Sequence, residues 1–171
     1  MDMGRDRLTG RLHVAVALLA TWLIFTSPWV AMYRRLPRHP GALDYLHVAL
    51  GFAALLASAL YLYACVRAGR WREYFPWLAG QGASALRDAG GLLRGRIPSA
   101  EGGGLFAVIE GLALLALFAT AVTGAGWFLT QGSSEVLVWR DVHAVAAKVL
   151  MATAGVHVVT VSLHLLELVR D

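Results

Sequence analysis

Residues 140–169 read RDVHAVAAKVLMATAGVHVVTVSLHLLELV and hold three of the chain's six histidines, His143, His157 and His164, at spacings of 14 and 7 residues. At about 100° per residue, 14 steps fall about 40° short of four turns and 7 steps about 20° short of two. The three imidazoles therefore leave nearly one face of a single helix. With a rise of about 1.5 Å per residue, His143 and His157 stand roughly 21 Å apart along the axis, inside a hydrocarbon core about 30 Å thick. One helix thus carries two imidazoles, one toward each leaflet.

Working outward, the whole chain has the solvent preference of that stretch. It is 58% hydrophobic and 15% charged, with a mean hydropathy of +0.60 over 171 residues. Soluble domains run nearer 45–50% apolar and about 25% charged, so this is the composition of a membrane protein. The net charge is +4, and Lys148 is the only lysine. The arginines lie in short segments between apolar runs, which suits anionic lipid headgroups better than nucleic acid. A single cysteine, Cys65, excludes a disulfide, a CxxC pair and a CxxCH attachment motif, so any heme is bound non-covalently.

Four apolar runs are long enough to cross a bilayer, at residues 12–30, 45–66, 105–129 and 140–169. The first follows a basic start, as a signal peptide would. It outruns a usual signal core, however, and ends in Pro28 and Trp29 with no small-x-small site, so it reads as an uncleaved span. Pro37 and Pro40 interrupt the loop that follows, and Asp44 is placed to N-cap the second span. Tyr61 and Tyr63 are expected near the far interface. The polar stretch 67–104 reads as a cytoplasmic loop, with ASALRDAGGLLRGRI within it suited to a short amphipathic helix on the headgroups. In the third span, Gly111, Gly124 and Gly126 permit close approach of a helix or cofactor. The expected fold is all-α: one integral membrane four-helix bundle over residues 1–171.

Arginine asymmetry orients it. With the N-terminus inside, the inner segments hold Arg5, Arg7, Arg11, Arg67, Arg70, Arg72, Arg87, Arg94, Arg96 and Arg170. The outer ones hold only Arg34, Arg35, Arg38 and Arg140, which puts both termini in the cytoplasm. His13 then lies at the inner end of span one and His47 at the outer end of span two. The histidines sort by depth into an outer pair, His47 with His143, and an inner pair, His13 with His157. One histidine in a span is ordinarily an interior hydrogen-bonding residue, but two depth-matched pairs are harder to obtain by chance. Paired imidazoles from two helices suit the two faces of a heme, although the spacing alone does not distinguish heme iron from another metal.

Other polar residues have competing readings. His164 is an alternative ligand, part of a quinone site, or an interfacial side chain; His39 is a solvated loop residue. Glu110, early in span three, snorkels to the inner surface. Lys148 reaches a heme propionate or is capped by backbone oxygens. Arg11, Arg67, Arg70, Arg34, Arg35 and Arg140 flank the pairs as propionate counter-ions or act only as topology determinants. Gly51, one turn after His47, and Gly155, beside His157, leave room for a porphyrin edge or for helix packing.

RLHVAVALL in span one, LHVALG in span two and H-x13-H-x6-H in span four together resemble the prokaryotic cytochrome b561 family, which includes the b-type cytochrome subunits of nickel-iron hydrogenases. The resemblance spans all four helices. It implies a four-helix membrane bundle with two b hemes and makes His13, His47, His143 and His157 the axial ligands. The doubled histidine frequent near the end of the family's fourth span is here His164 followed by Leu165. FPWL and LRDAGGLLRG in the long loop look like the dehydrogenase- and hydrogenase-associated members.

The expected function is transfer of electrons across a bacterial inner membrane between quinone (ubiquinone or menaquinone) and a redox partner. The expected partners are membrane lipid, the quinone pool, an extracytoplasmic dehydrogenase, hydrogenase or cytochrome subunit, and a second copy of the chain. Two rivals stand beside it: a self-contained quinone oxidoreductase acting on a small molecule such as superoxide, and a heme-free four-helix transporter or assembly factor. The sequence holds no nucleotide-binding loop, iron–sulfur cysteine cluster or nucleophile constellation.

Overall fold

The computed structural model describes the backbone of residues 3–31, 39–80, 82–92, 94 and 104–170, and the side chains of these residues except 3–6 and 163–170. Among the described residues the chain forms α1 (Met3–Thr26), α2 (Ala42–Arg67), α3 (Trp71–Tyr74), α4 (Ala83–Leu92), α5 (Leu105–Leu129) and α6 (Val136–Arg170), with no strand. Four of these helices, α1, α2, α5 and α6, are long and apolar enough to cross a membrane. The molecule is an all-α multi-pass membrane protein.

Local chemistry sets the helix ends. Helix α1 starts well before residue 12, because its polar first turns hold nothing that breaks a helix. It stops at Thr26, where a 3₁₀ turn over Ser27–Trp29 carries Pro28 near its start. The Thr26 and Ser27 hydroxyls donate back to the carbonyls of Trp22 (2.8 Å) and Ile24 (2.9 Å). Helix α2 begins at Ala42, so Asp44 is not its N-cap. It lies inside the first turn, and its carboxylate accepts from the Gly41 N–H at 2.8 Å, the backward half of a capping box. At the other end Gly69 takes φ 74°, Gly69 N–H donates to Val66 and Arg70 N–H to Cys65, a Schellman closure. Gly132, at φ 87°, turns the chain between α5 and α6, and α6 starts at Val136, four residues before the expected boundary.

The chain divides into two compact units. The first comprises Met1–Ala64 and Ala116–Leu150. Its core joins Ala54 of α2, Ala116 and Leu117 of α5 and Leu150 of α6, with Val16, Leu19, Ala20, Leu23 and Ile24 of α1 packed against them. All four long helices contribute, a four-helix bundle within this unit. Small residues at the contacts let the backbones approach, and hydroxyls are bonded within their own helices: Ser58 to the Ala54 carbonyl at 2.6 Å, Thr120 to that of Ala116 at 2.7 Å. Leu18, Phe25, Trp29 and Leu129 are exposed on the outside. A helix apolar all round with its large side chains outward has lipid as its solvent.

The second unit comprises Cys65–Leu115 and Met151–Asp171. Here the stretch read as a loop is largely folded, holding α3, a 3₁₀ turn over Pro76–Ala79, and α4. Tyr74 and Phe75 are buried against Gly111 of α5, where an added Cβ would meet the Tyr74 carbonyl oxygen at 2.6 Å. The Tyr74 hydroxyl donates to Glu110 Oε1 at 3.3 Å, so Glu110 is held by the inter-helix segment rather than only snorkelling. The Arg70 guanidinium lies 5.0 Å from the Tyr74 ring centre and 3.6 Å from Glu73. Asp88 of α4 accepts from the Leu105 N–H at 3.0 Å and caps α5 across the intervening chain.

Candidate cofactor site

Helix α5 is shaped to receive His143 from α6. At Gly124 a Cβ would stand 2.9 Å from His143 Cε1 and 3.2 Å from Nδ1, so the imidazole lies directly on backbone. One turn earlier the Thr120 carbonyl sits 3.0 Å from His143 Nδ1, with the Thr123 hydroxyl 3.3 Å from the same nitrogen. A carbonyl oxygen only accepts, so Nδ1 carries the proton and donates it. The neutral imidazole is then left with a lone pair on Nε2. Trp127 stacks beside the ring at 6.3 Å between centroids and 26° between planes. Gly126 similarly receives Trp139, whose Cε3 would lie 2.5 Å from an added Cβ.

His47 lies on α2, in the same compact unit as His143. Its Nδ1 is buried and has no hydrogen-bond partner among the described residues, an arrangement that costs about 1–3 kcal/mol unless something else completes the ring. Around Gly51, one turn further along the same face, no described atom lies within 4 Å of an added Cβ. The same openness holds at Gly155. At neither position does helix packing explain the glycine.

Phe52 of α2 and Phe128 of α5 meet edge to face at 5.9 Å. His13, on α1, is half-buried, with Nδ1 3.2 Å from the Tyr61 hydroxyl. Of the two tyrosines expected near the far interface, Tyr61 is buried in the protein and Tyr63 is exposed. All of these residues belong to the first unit; His157 belongs to the second, half-buried on α6. The side chain of His164 lies outside the described residues, as do Arg34 and Arg35. Arg11, Arg67, Lys148 and His39 are exposed, and Arg140 holds Asp141 through Nε at 3.1 Å and its terminal nitrogen at 2.9 Å.

The sequence reading passes over Thr120, Thr123 and Trp127, and gives Tyr61 only an interfacial role. A signal for Tyr61 was present: it follows His47 by 14 residues, the same-face spacing of His143 and His157. Nothing local marks the Thr120 carbonyl, because every residue has one.

Among the described residues no three His, Cys, Asp or Glu side chains gather as a metal cluster. The His143 imidazole, with its Nε2 lone pair set by a carbonyl, suits ligation of heme iron, and the open space at Gly51 would leave room for such a group.

Fold and site together define a class: a multi-pass all-α membrane protein with histidines inside its helical bundle. The chain belongs to the prokaryotic cytochrome b561 family, whose profile it matches over residues 5–169. That membership makes it a b-type cytochrome of membrane electron transfer and implies b-type heme. Neither a curated protein nor a solved structure matches the chain.

Proposed function

We propose that the chain is a di-heme b cytochrome that carries electrons across the bacterial inner membrane between quinone and a redox partner. The observation that carries this reading is the preparation of His143, whose Nδ1–H is held by the Thr120 carbonyl so that Nε2 keeps its lone pair. In this reading His47 and His143 are the axial ligands of one heme, and His13 and His157 those of the other. Heme supplies one-electron chemistry at iron; the chain's residues ligate, orient and exclude water. The Thr120 carbonyl and Gly124 hold His143 in one tautomer and one ring plane, and outward-facing Leu, Phe and Trp keep the bundle in lipid. Arg11, Arg67, Arg140 and Lys148 are the cations available to propionates, with both termini cytoplasmic. Ubiquinone or menaquinone exchanges electrons at a site for which His164 is the candidate.

The leading version serves an extracytoplasmic dehydrogenase, hydrogenase or cytochrome subunit. The test is a reduced-minus-oxidised spectrum with heme-to-protein ratio on detergent-purified chain and single His→Ala variants. Two hemes are expected, one lost with His47 or His143 and the other with His13 or His157. A single heme, or two that survive loss of His143, would overturn the assignment.

A further inference from the structure

His13 and Tyr61 meet from different helices, 48 residues apart in sequence, with the ring nitrogen 3.2 Å from the hydroxyl. Their rings stand edge to face, 5.9 Å between centroids and 88° between planes. Tyr61 is 3% exposed, whereas Tyr63 is 64% exposed. A phenol buried within an apolar bundle requires a hydrogen-bond partner, and α1 supplies a histidine.

The bond has two polarities. If the phenol donates to Nδ1, the imidazole proton sits on Nε2, which then has no lone pair for a metal. If Nδ1–H donates to the phenolic oxygen, Nε2 carries the lone pair. We infer that Tyr61 is a positioning residue for His13: its oxygen accepts the Nδ1–H bond, fixing the tautomer and ring plane that present Nε2 to heme iron. The inference rests on the proposal that His13 is an axial ligand. Tyr61 does for His13 what the Thr120 carbonyl does for His143, but through a side chain that substitution can remove. An acceptor on the distal nitrogen makes an imidazole more electron-rich and favours ferric iron. Its loss raises the potential of the heme that His13 holds.

The experiment is an optical redox titration of the purified full chain, compared with Tyr61→Phe, Tyr63→Phe and His13→Ala. Phenylalanine keeps the ring and its packing and removes only the hydroxyl. In Tyr61→Phe one of two potential components is expected to rise by about 30 mV, about a threefold shift from ferric toward ferrous at about 59 mV per tenfold, with the other unchanged. Tyr63→Phe should move neither. Unchanged components in Tyr61→Phe overturn the inference, and if His13→Ala has lost one heme, the ligand reading survives that failure. Two hemes retained in His13→Ala would sink the ligand reading, and the inference with it. If Tyr61→Phe does not fold, the ¹H–¹⁵N spectrum of the unmodified reduced chain decides: a His13 Nδ1 proton shifted downfield and slow to exchange shows the bond to the phenol oxygen, and one that exchanges freely overturns the inference.

Discussion

Replacing Gly124 by alanine presses on the proposed ligand His143 without replacing it. The new Cβ would stand 2.9 Å from His143 Cε1 and 3.2 Å from Nδ1. Carbon–carbon contacts settle near 3.5–4.0 Å, so the ring must retreat by about 0.6 Å or more. Gly124 and Thr120 lie one turn apart on α5, so retreat from one is retreat from the other. The 3.0 Å bond from Nδ1 to the Thr120 carbonyl would stretch toward about 3.6 Å, beyond a hydrogen bond. Overpacking of this kind costs about 1–3 kcal/mol, offset by about 0.5–1 kcal/mol because alanine favours helix over glycine. Net stability should fall by up to about 2.5 kcal/mol, while heme affinity drops about 10–100-fold, the usual effect of losing an outer-shell partner. The assay is heme content per folded chain and heme loss on dilution, read by the reduced-minus-oxidised spectrum. Gly126→Ala is the control: its Cβ meets Trp139 at 2.5 Å, so it destabilises the bundle without pressing on a histidine. Gly124→Ala with wild-type heme affinity and spectrum, beside a Gly126→Ala that melts lower, would refute the reasoning.

Gly51→Ala separates protein from cofactor: no described atom lies within 4 Å of the added methyl, so the heme-free helix should gain about 0.5–1 kcal/mol, while a porphyrin edge seated in that space would make heme content fall. Stability and heme occupancy rising together in that variant would show that Gly51 has no part in the site. Gly111→Ala drives a Cβ to 2.6 Å from the Tyr74 carbonyl, and its thermal midpoint should drop by an amount matching about 1–3 kcal/mol, with heme stoichiometry intact. Tyr74→Phe removes the donor to Glu110 and should cost about 1–2 kcal/mol in denaturant or thermal melts; an unchanged midpoint would show the bond to be dispensable.

Composition, four apolar runs and histidine periodicity were enough to read the fold class, because span length and face-by-face spacing are local properties of a helix. The boundaries at α5 fell where expected, since a glycine run precedes an uninterrupted apolar segment. The loop between α2 and α5 was less legible: its folding depends on Tyr74 finding Gly111 and Asp88 finding the Leu105 N–H, pairings no local pattern encodes. Taking Asp44 as the cap starts α2 three residues too late, because capping-box partners three residues apart look alike in sequence.

The sequence alone therefore determined that the chain lives in lipid, and which face of α6 carries His143 and His157, because a 14-residue spacing fixes an angle whatever the helix packs against. Only the tertiary structure decided that His143 meets the Thr120 carbonyl through the gap at Gly124, that His47 is left uncompleted, and that Tyr61 turns inward to His13. Those contacts depend on how far each helix is rotated about its axis and shifted along it relative to its neighbours. Periodicity within one helix is silent on both, and the sum of side-chain packing across the bundle sets them.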